Sequence, residues 1–120
     1  MDVVAGVLVG LVALLHVYIM VMEMFLWRTP RVRATFGTTP EFAEQSAPLA
    51  ANQGLYNGFL AAGLVFGLLA SEPVAFPVTV FFLACVIIAG IYGAATANRR
   101  ILLVQATPGA VALVFTILAH

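Results

Sequence analysis

Four apolar stretches divide the chain, and three of them are clearly long enough to cross a membrane as helices. They cover residues 3–26, 48–70, 77–97 and 101–119. An α-helix rises 1.5 Å per residue, so about 20 apolar residues cross a bilayer core of roughly 30 Å. Pro108 interrupts the fourth stretch, which predicts either one kinked crossing or a helix of about a dozen residues that begins at Thr107. The pattern favours four crossings: an all-α polytopic membrane protein, a bundle of four transmembrane helices in a single domain.

Two ionisable side chains lie inside the first apolar stretch. One face of its predicted helix carries His16, Met20, Glu23 and Trp27. Lipid cannot solvate a carboxylate or a charged imidazole, so this face is expected to contact protein or water. The first stretch therefore predicts a polar pocket within the bundle.

The connection between the first two stretches, residues 28–47, is the longest one. Pro30 is expected to end the first helix, because proline cannot continue the backbone hydrogen bonds. Thr39, Pro40 and Glu41 have the order of a helix start, with a capping hydroxyl, a proline at the first position and an acid in the first turn. A short surface helix over about residues 40–45 is predicted, with its acidic side chains in solvent.

Composition agrees with a membrane protein and excludes several functions. The 120 residues are 63% hydrophobic and 8% charged, whereas about a quarter of a soluble domain is charged. The net charge is zero and lysine is absent, so no basic face is available for nucleic acid. The single cysteine, Cys85, excludes an internal disulfide, and the histidine and acidic residues lack the spacing of metal ligands. Neither a metal nor another cofactor is expected.

The arginines predict the orientation. All five follow the first and third apolar stretches, whereas the opposite ends carry Asp2, Glu72 and His120. By the positive-inside rule, residues 28–47 face the cytoplasm and both termini lie outside. The N-terminus lacks the basic region of a signal peptide, so the first stretch is expected to be retained. The chain is thus expected to be a multi-pass protein of the cell membrane.

Polar side chains concentrate in the cytoplasmic half of the predicted crossings. With Trp27 at the interface, Glu23 lies roughly 6 Å deep and His16 roughly 16 Å. The other three stretches contribute further polar side chains at this level, namely Gln53, Asn57, Tyr92, Thr96 and Gln105. This segregation predicts a pocket between the helices that opens toward the cytoplasm and is apolar at its outer end.

Pairs of small residues predict close contacts between helices. Gly6 and Gly10 lie four residues apart on the first stretch, and the second stretch holds two GxxxG pairs, at residues 54–58 and 63–67. Such pairs let neighbouring helices approach closely. They predict packing within the bundle and also permit a homo-oligomer.

The chain also resembles a known family. The matching residues are the pattern His16-x-Tyr18 with Glu23 and Trp27, the block Asn52-Gln53-Gly54-x-Tyr56-Asn57-Gly58-Phe59-x-Ala61-Ala62-Gly63, and Gln105-x-x-Pro108. Over nearly its whole length the chain is similar to the small bacterial integral membrane proteins known as domain of unknown function 1304. This resemblance implies a four-helix membrane fold and no established activity, so function is argued from the residues.

The polar residues favour acid–base chemistry on a lipophilic small molecule that enters from the bilayer. Glu23 would donate or accept the proton. Three residues would orient Glu23 or take up a proton, namely His16, Asn57 and Gln53. The predicted substrate-binding residues are Gln53, Tyr56, Trp27, Tyr18, Gln105 and Tyr92. Isomerisation or cyclisation of an isoprenoid-like molecule fits best, because such a reaction requires no cofactor.

Two other functions stay open at this point. A small oligomeric transporter or proton-coupled channel would use Glu23 and His16 as a proton relay, although the outer halves of the helices lack polar groups and no internal repeat is visible. An accessory membrane subunit without chemistry would use the same residues as hydrogen bonds between helices. In that case Glu23 would pair with Arg28 or with an amide side chain.

Overall fold

The computed structural model describes all 120 residues, and every regular element is helical. Its five α-helices are α1 (Val3–Phe25), α2 (Pro30–Phe36), α3 (Pro40–Leu69), α4 (Ala75–Thr96) and α5 (Thr107–Leu118). A π-helical turn, Leu102–Ala106, leads directly into α5. The predicted all-α class is confirmed.

Helix α1 lies close to the predicted limits of the first apolar stretch, but the helix after it was not predicted. Asp2 caps α1, because its Oδ1 accepts a hydrogen bond from the Ala5 N–H at 2.8 Å. Pro30 follows the end of α1 and opens α2, in a first turn where the missing N–H of proline is tolerated. Gly37 closes α2 in the left-handed conformation, with a φ of 70°. Part of the predicted loop is therefore helical.

Helix α3 begins where the sequence predicts but continues far beyond the short surface helix. The Thr39 hydroxyl accepts a hydrogen bond from the Phe42 N–H at 3.1 Å, and Pro40 opens the helix. The helix then runs through Pro48 to Leu69, so the surface helix and the second apolar stretch are one element. Hydropathy rises at residue 48, but the helical backbone continues through this position.

The fourth apolar stretch forms one helical run, Leu102–Leu118, with two hydrogen-bonding patterns. Its first turn is π-helical, and the Thr107 hydroxyl donates to the Leu102 carbonyl at 3.0 Å. Pro108 lies in the first turn of α5, where its missing N–H is tolerated. Helix α5 has the dozen residues of the second predicted alternative, and the π-helical turn lengthens it; a crossing by this run stays a prediction.

The chain divides into two compact units, which are described separately. The core unit comprises Met1–Leu14 and Leu60–His120, and the cleft unit comprises Leu15–Phe59. In the core unit, the interior is aliphatic, and its fully buried side chains include Val9, Leu64, Leu83, Val86 and Ala112. The core unit therefore contains the main apolar core of the chain.

One GxxxG pair of α3, Gly63 and Gly67, packs against side chains of α4 within the core unit. Gly63 lies against the Phe82 ring, and Gly67 lies against Thr79, whose hydroxyl is buried without a hydrogen-bond partner. By contrast, a Cβ at Gly10 of α1 would meet nothing within 4 Å. Gly10 is partly buried but makes no close packing contact at this point, and the homo-oligomer stays a prediction.

Two helices, α1 and α4, are long and apolar enough to cross a membrane. They have 23 and 22 residues. Only 28% of the most apolar 18-residue window of α1, and 22% of that of α4, is buried. Large apolar side chains such as Leu14 and Ile88 are consequently exposed. The rest of the chain leaves most of the apolar surface of both helices open.

Candidate functional site

Glu23 lies in the cleft unit near the end of α1, and a side chain of α3 holds its carboxylate. Glu23 Oε1 accepts a hydrogen bond from Asn57 Nδ2 at 2.7 Å. The same amide nitrogen donates to the Gln53 carbonyl, one turn earlier on α3, at 3.2 Å. Because the Asn57 amide contacts both the carboxylate and its own helix backbone, it has little freedom to rotate. Asn57 therefore fixes the position of the Glu23 carboxylate.

Two glycines let α3 approach α1 closely at this point. A Cβ at Gly54 would lie 2.6 Å from Met24 Cγ and 3.0 Å from the Met20 carbonyl oxygen. A Cβ at Gly58 would lie 2.8 Å from the Met20 sulfur. A side chain at either position would push the helices apart or displace a methionine. This GxxxG pair thus brings the two helices within hydrogen-bonding reach.

A cleft of about 490 Å³ opens beside Glu23. Its apolar wall includes Met24, Trp27 and Pro48, and its charged lining groups are Glu23 and Arg28. Small-molecule sites typically have volumes of roughly 300–1,000 Å³ and mostly apolar walls with a few polar groups. The cleft therefore has the size and lining to bind a lipophilic molecule with a polar end.

Trp27 forms a fixed part of the cleft wall. Its indole N–H donates to Ser46 Oγ at 3.0 Å, and the Ser46 hydroxyl donates to the Phe42 carbonyl at 2.6 Å. The indole ring also packs against Phe36 of α2, with ring centroids 4.9 Å apart. Side chains from α2 and α3 together hold the indole in place.

Arg28 pairs with Glu44 of α3. The distance from Arg28 Nε to Glu44 Oε2 is 2.6 Å, and that from Nη2 to Oε1 is 3.4 Å. The two side chains are 60% and 68% exposed. Of the two partners considered for Glu23, an arginine and an amide, the structure shows the amide of Asn57.

Four other predicted site residues of the cleft unit do not line the cleft. His16 is fully buried. Tyr18 and Tyr56 are more than half exposed, and Tyr56 packs edge to face against Phe59 with ring centroids 5.7 Å apart. The Gln53 side chain is also exposed, although its carbonyl accepts the hydrogen bond described above. The roles predicted for these residues stay predictions.

Gln105 and Tyr92 belong to the core unit. Gln105 lies on the π-helical turn and is partly buried. Tyr92 lies on α4 with an exposed side chain, and its carbonyl accepts a hydrogen bond from the Thr96 hydroxyl. Their share in a common pocket stays a prediction as well.

Sequence reasoning did not assign Arg28, Ser46 or Pro48 to the site. Pro48 was expected to start a helix, and the other two lie in the predicted loop of residues 28–47. The structure places a helix that was not predicted, α2, between α1 and α3 in the chain. The sequence signal for α2 is a threonine before a proline, as at the start of α3, and it could have found this helix.

A family model described as "Protein of unknown function (DUF1304)" matches residues 10–117. The chain belongs to this family. The resemblance seen in the sequence is therefore confirmed. The DUF1304 match includes the whole cleft unit, and with it Glu23, Arg28, Glu44 and Asn57.

A second comparison agrees with the DUF1304 assignment. The protein named "Uncharacterized protein YpaA" from Lactococcus lactis subsp. lactis (strain IL1403) is 31% identical over 116 residues. The alignment covers 95% of this chain and 97% of the relative. No solved structure matches the chain. Since the family description states no activity, the function is argued from the site.

Proposed function

We propose that the protein is a membrane-embedded acid–base catalyst of the isomerase or cyclase type, acting on a lipophilic, isoprenoid-like small molecule. The placement of Glu23 carries this proposal. Its half-buried carboxyl group is fixed by Asn57 and lines a cleft with an apolar wall. A positioned carboxyl group beside an apolar surface can exchange a proton with a carbon atom of a bound molecule.

Glu23 is the proton-transfer group in this proposal. In an isomerisation, one proton adds to a carbon of a double bond and another leaves a neighbouring carbon, so the double bond moves and the atoms balance. The carboxyl group gives the first proton, and the resulting carboxylate takes the second. Of the two Glu23 carboxyl oxygens, Asn57 donates to Oε1, and Oε2 is left for the substrate. The indole of Trp27 flanks the substrate and stabilises positive charge that develops on it.

The chain crosses the membrane four times in this proposal. Helices α1 and α4 have the length for a crossing, and their open apolar surface supports contact with lipid. The apolar second half of α3 and the run Leu102–Leu118 supply the other two crossings. A run of about 17 residues extends roughly 25 Å, which is near the lower limit for a transmembrane helix.

Both termini face outside, and residues 28–47 face the cytoplasm. The five arginines support this orientation, because all follow α1 or α4 and none lies at the opposite ends. Phe36 and Phe42 are exposed beside the first arginine cluster, as expected at a membrane surface. Trp27 then lies at the cytoplasmic interface, where a lipophilic molecule can reach the cleft from the bilayer.

Deuterium transfer from solvent tests the catalytic proposal. Purified protein in lipid nanodiscs is incubated in D₂O with a lipid extract of its native membranes, and the extract is separated by chromatography with mass detection. At least one lipophilic compound is expected to gain deuterium and to change its retention with no other change in mass. The substitution Glu23→Gln keeps an acceptor for Asn57 and is expected to slow this exchange by about 10²–10⁴-fold.

Glu41→Gln is the matched control, because Glu41 is an exposed carboxyl group of α3 that does not line the cleft. This variant is expected to exchange deuterium at the wild-type rate. Equal exchange by wild type and Glu23→Gln would refute the role of Glu23. Exchange no faster than in protein-free nanodiscs would refute the catalytic proposal altogether, and proton flux into liposomes would then test the transporter alternative.

A further inference from the structure

The cleft contains a second charged group, which proton transfer at Glu23 does not use. Arg28 is one of the residues that line the cleft, and its guanidinium is bound to the carboxylate of Glu44. We propose that Arg28 binds the anionic head group, a phosphate or a carboxylate, of an amphiphile whose apolar chain lies along the cleft wall. The inference rests on the proposed function for the use of the cleft, and it adds the class of molecule that the cleft accepts.

The geometry of the Arg28–Glu44 pair permits an exchange of partners. A guanidinium and a carboxylate can form two parallel hydrogen bonds. Here the Nε bond is 2.6 Å long, but the Nη2 bond is 3.4 Å long, so the second is weak. Both side chains are mostly exposed, and exposed ion pairs contribute little to stability. A ligand anion can therefore replace Glu44, which then returns to solvent without leaving a buried charge unpaired.

The backbone around Arg28 is held in place before any ligand binds. The Thr29 hydroxyl donates to the Leu26 carbonyl at 2.7 Å, and Arg33 Nε donates to the Arg28 carbonyl at 3.2 Å. A preorganised residue loses less conformational freedom on binding. The Arg33 guanidinium also adds positive charge next to Arg28, which favours an anion at this end of the cleft.

The two charged lining groups give the ligand a direction. Glu23 lies within α1, and Arg28 lies beyond the end of that helix. An anionic head group is attracted to Arg28 at one end of the cleft, so the uncharged part of the ligand meets Glu23. A cationic head group would be repelled by Arg28. The apolar wall formed by Met24, Trp27 and Pro48 suits the uncharged chain.

Two sources can supply this chemistry: an anionic phospholipid of the bilayer and a single-chain lipophilic anion. Trp27 is the sole tryptophan of the chain and lines the cleft, so its fluorescence reports occupancy directly. The full-length protein in phosphatidylcholine nanodiscs is titrated with dodecyl phosphate and, separately, with dodecanol. A second set of nanodiscs contains phosphatidylglycerol and receives the same titrations.

The expected change in affinity depends on the charge of the side chain that each substitution removes. Dodecyl phosphate should change the Trp27 fluorescence in a saturable way, and dodecanol should bind at least about tenfold more weakly. Arg28→Gln should weaken dodecyl phosphate binding about tenfold, whereas Glu44→Gln should strengthen it several-fold, because the competing carboxylate is gone. Arg99→Gln, which removes an exposed arginine of the core unit, should leave the affinity unchanged.

Opposite effects at Arg28 and Glu44 distinguish a binding site from a structural ion pair. If both substitutions weaken binding, or if dodecanol binds as tightly as dodecyl phosphate, the inference is wrong. Phosphatidylglycerol that alone saturates the Trp27 signal identifies the bilayer as the source, and a signal that still needs dodecyl phosphate identifies a single-chain anion. Glu23→Gln should still bind dodecyl phosphate more tightly than dodecanol, because Arg28 is present in that variant. If Arg28→Gln does not weaken dodecyl phosphate binding, the deuterium-exchange result is unaffected. If no deuterium exchange depends on Glu23, the binding result at Arg28 is likewise unaffected.

Discussion

Candidate site residues were easiest to identify from the sequence where they lay among apolar neighbours. Glu23 and Asn57 stand out in the sequence because a carboxylate or an amide in an apolar stretch is expected to need a partner in the protein. Trp27 stands out as an aromatic residue at the end of such a stretch. Arg28 and Ser46 lie in a segment already rich in polar groups, where nothing local distinguishes a cleft residue from a solvated one. The ion pair between Arg28 and Glu44 and the hydrogen bond from Trp27 to Ser46 became visible only in the structure.

In the proposed reaction Asn57 acts as a positioning residue, so its loss should affect the reaction more than binding. In Asn57→Ala, Glu23 Oε1 loses its hydrogen bond and the carboxylate can rotate. We expect the deuterium exchange described above to slow by about 10–100-fold, as small misplacements of a reacting group do. The affinity for dodecyl phosphate should stay within about twofold of wild type, because the head group binds at Arg28.

The control for this prediction is Asn52→Ala, which removes an exposed amide from the same helix. It should leave both measurements unchanged. If Asn57→Ala exchanges deuterium as fast as wild type, the hydrogen bond to Glu23 has no part in the reaction.

At the scale of helices, the prolines show what hydropathy can and cannot predict. The cap at Thr39 was predictable because it depends on side-chain-to-backbone hydrogen bonds within one turn. The passage of α3 through Pro48 was not, because an interior proline costs roughly 3 kcal/mol and normally indicates a helix boundary. Here the polar residues before Pro48 and the apolar residues after it share one helix. Polarity changes along that helix while its backbone continues.

The contact between α1 and α3 in the cleft unit should depend strongly on Gly54. In Gly54→Ala, the new methyl group would meet Met24 Cγ and the Met20 carbonyl, and the backbone oxygen cannot move without shifting α1. We expect a loss of about 1–3 kcal/mol in the free energy of unfolding, measured by denaturant titration in micelles. Deuterium exchange should fall as well, because Asn57 moves away from Glu23.

Gly10→Ala is the matched control for this substitution. A Cβ at Gly10 meets nothing within 4 Å, and alanine favours a helix by roughly 0.5–1 kcal/mol. The Gly10 variant should be as stable as wild type or slightly more so. Equal stability of the Gly54 and Gly10 variants would show that the close approach at Gly54 does not exist in the membrane.

For the whole molecule, composition and charge were the strongest sources of prediction. A chain with 8% charged residues cannot cover its surface with polar groups, and the open apolar faces of α1 and α4 agree with this. Long apolar stretches predict helices, because a helix satisfies its own backbone hydrogen bonds even where water is absent. The shared pocket of polar residues from all four stretches stays a prediction, because it depends on helix rotations that periodicity alone does not determine.

The proposed orientation predicts which residues a membrane-impermeant maleimide can reach in intact cells. In a Cys85→Ala background, Ser71→Cys lies between α3 and α4, and Thr35→Cys lies on α2; both positions are exposed. We expect labelling of the cysteine at 71 and protection of the cysteine at 35, because the arginines hold α2 in the cytoplasm. After permeabilisation, both should react. Labelling of the cysteine at 35 in intact cells would reverse the orientation.

The most direct test of acid–base catalysis at Glu23 is to identify what the protein carries out of its own membranes. Wild type and Glu23→Gln are purified side by side, and their bound molecules are detected by native mass spectrometry, extracted and separated as isomers by chromatography. We expect the same lipophilic mass in both proteins but different isomers, with the unreacted isomer retained by Glu23→Gln. The same isomers in the same ratio, or no bound small molecule beyond bulk phospholipid in either protein, would contradict catalysis at this site.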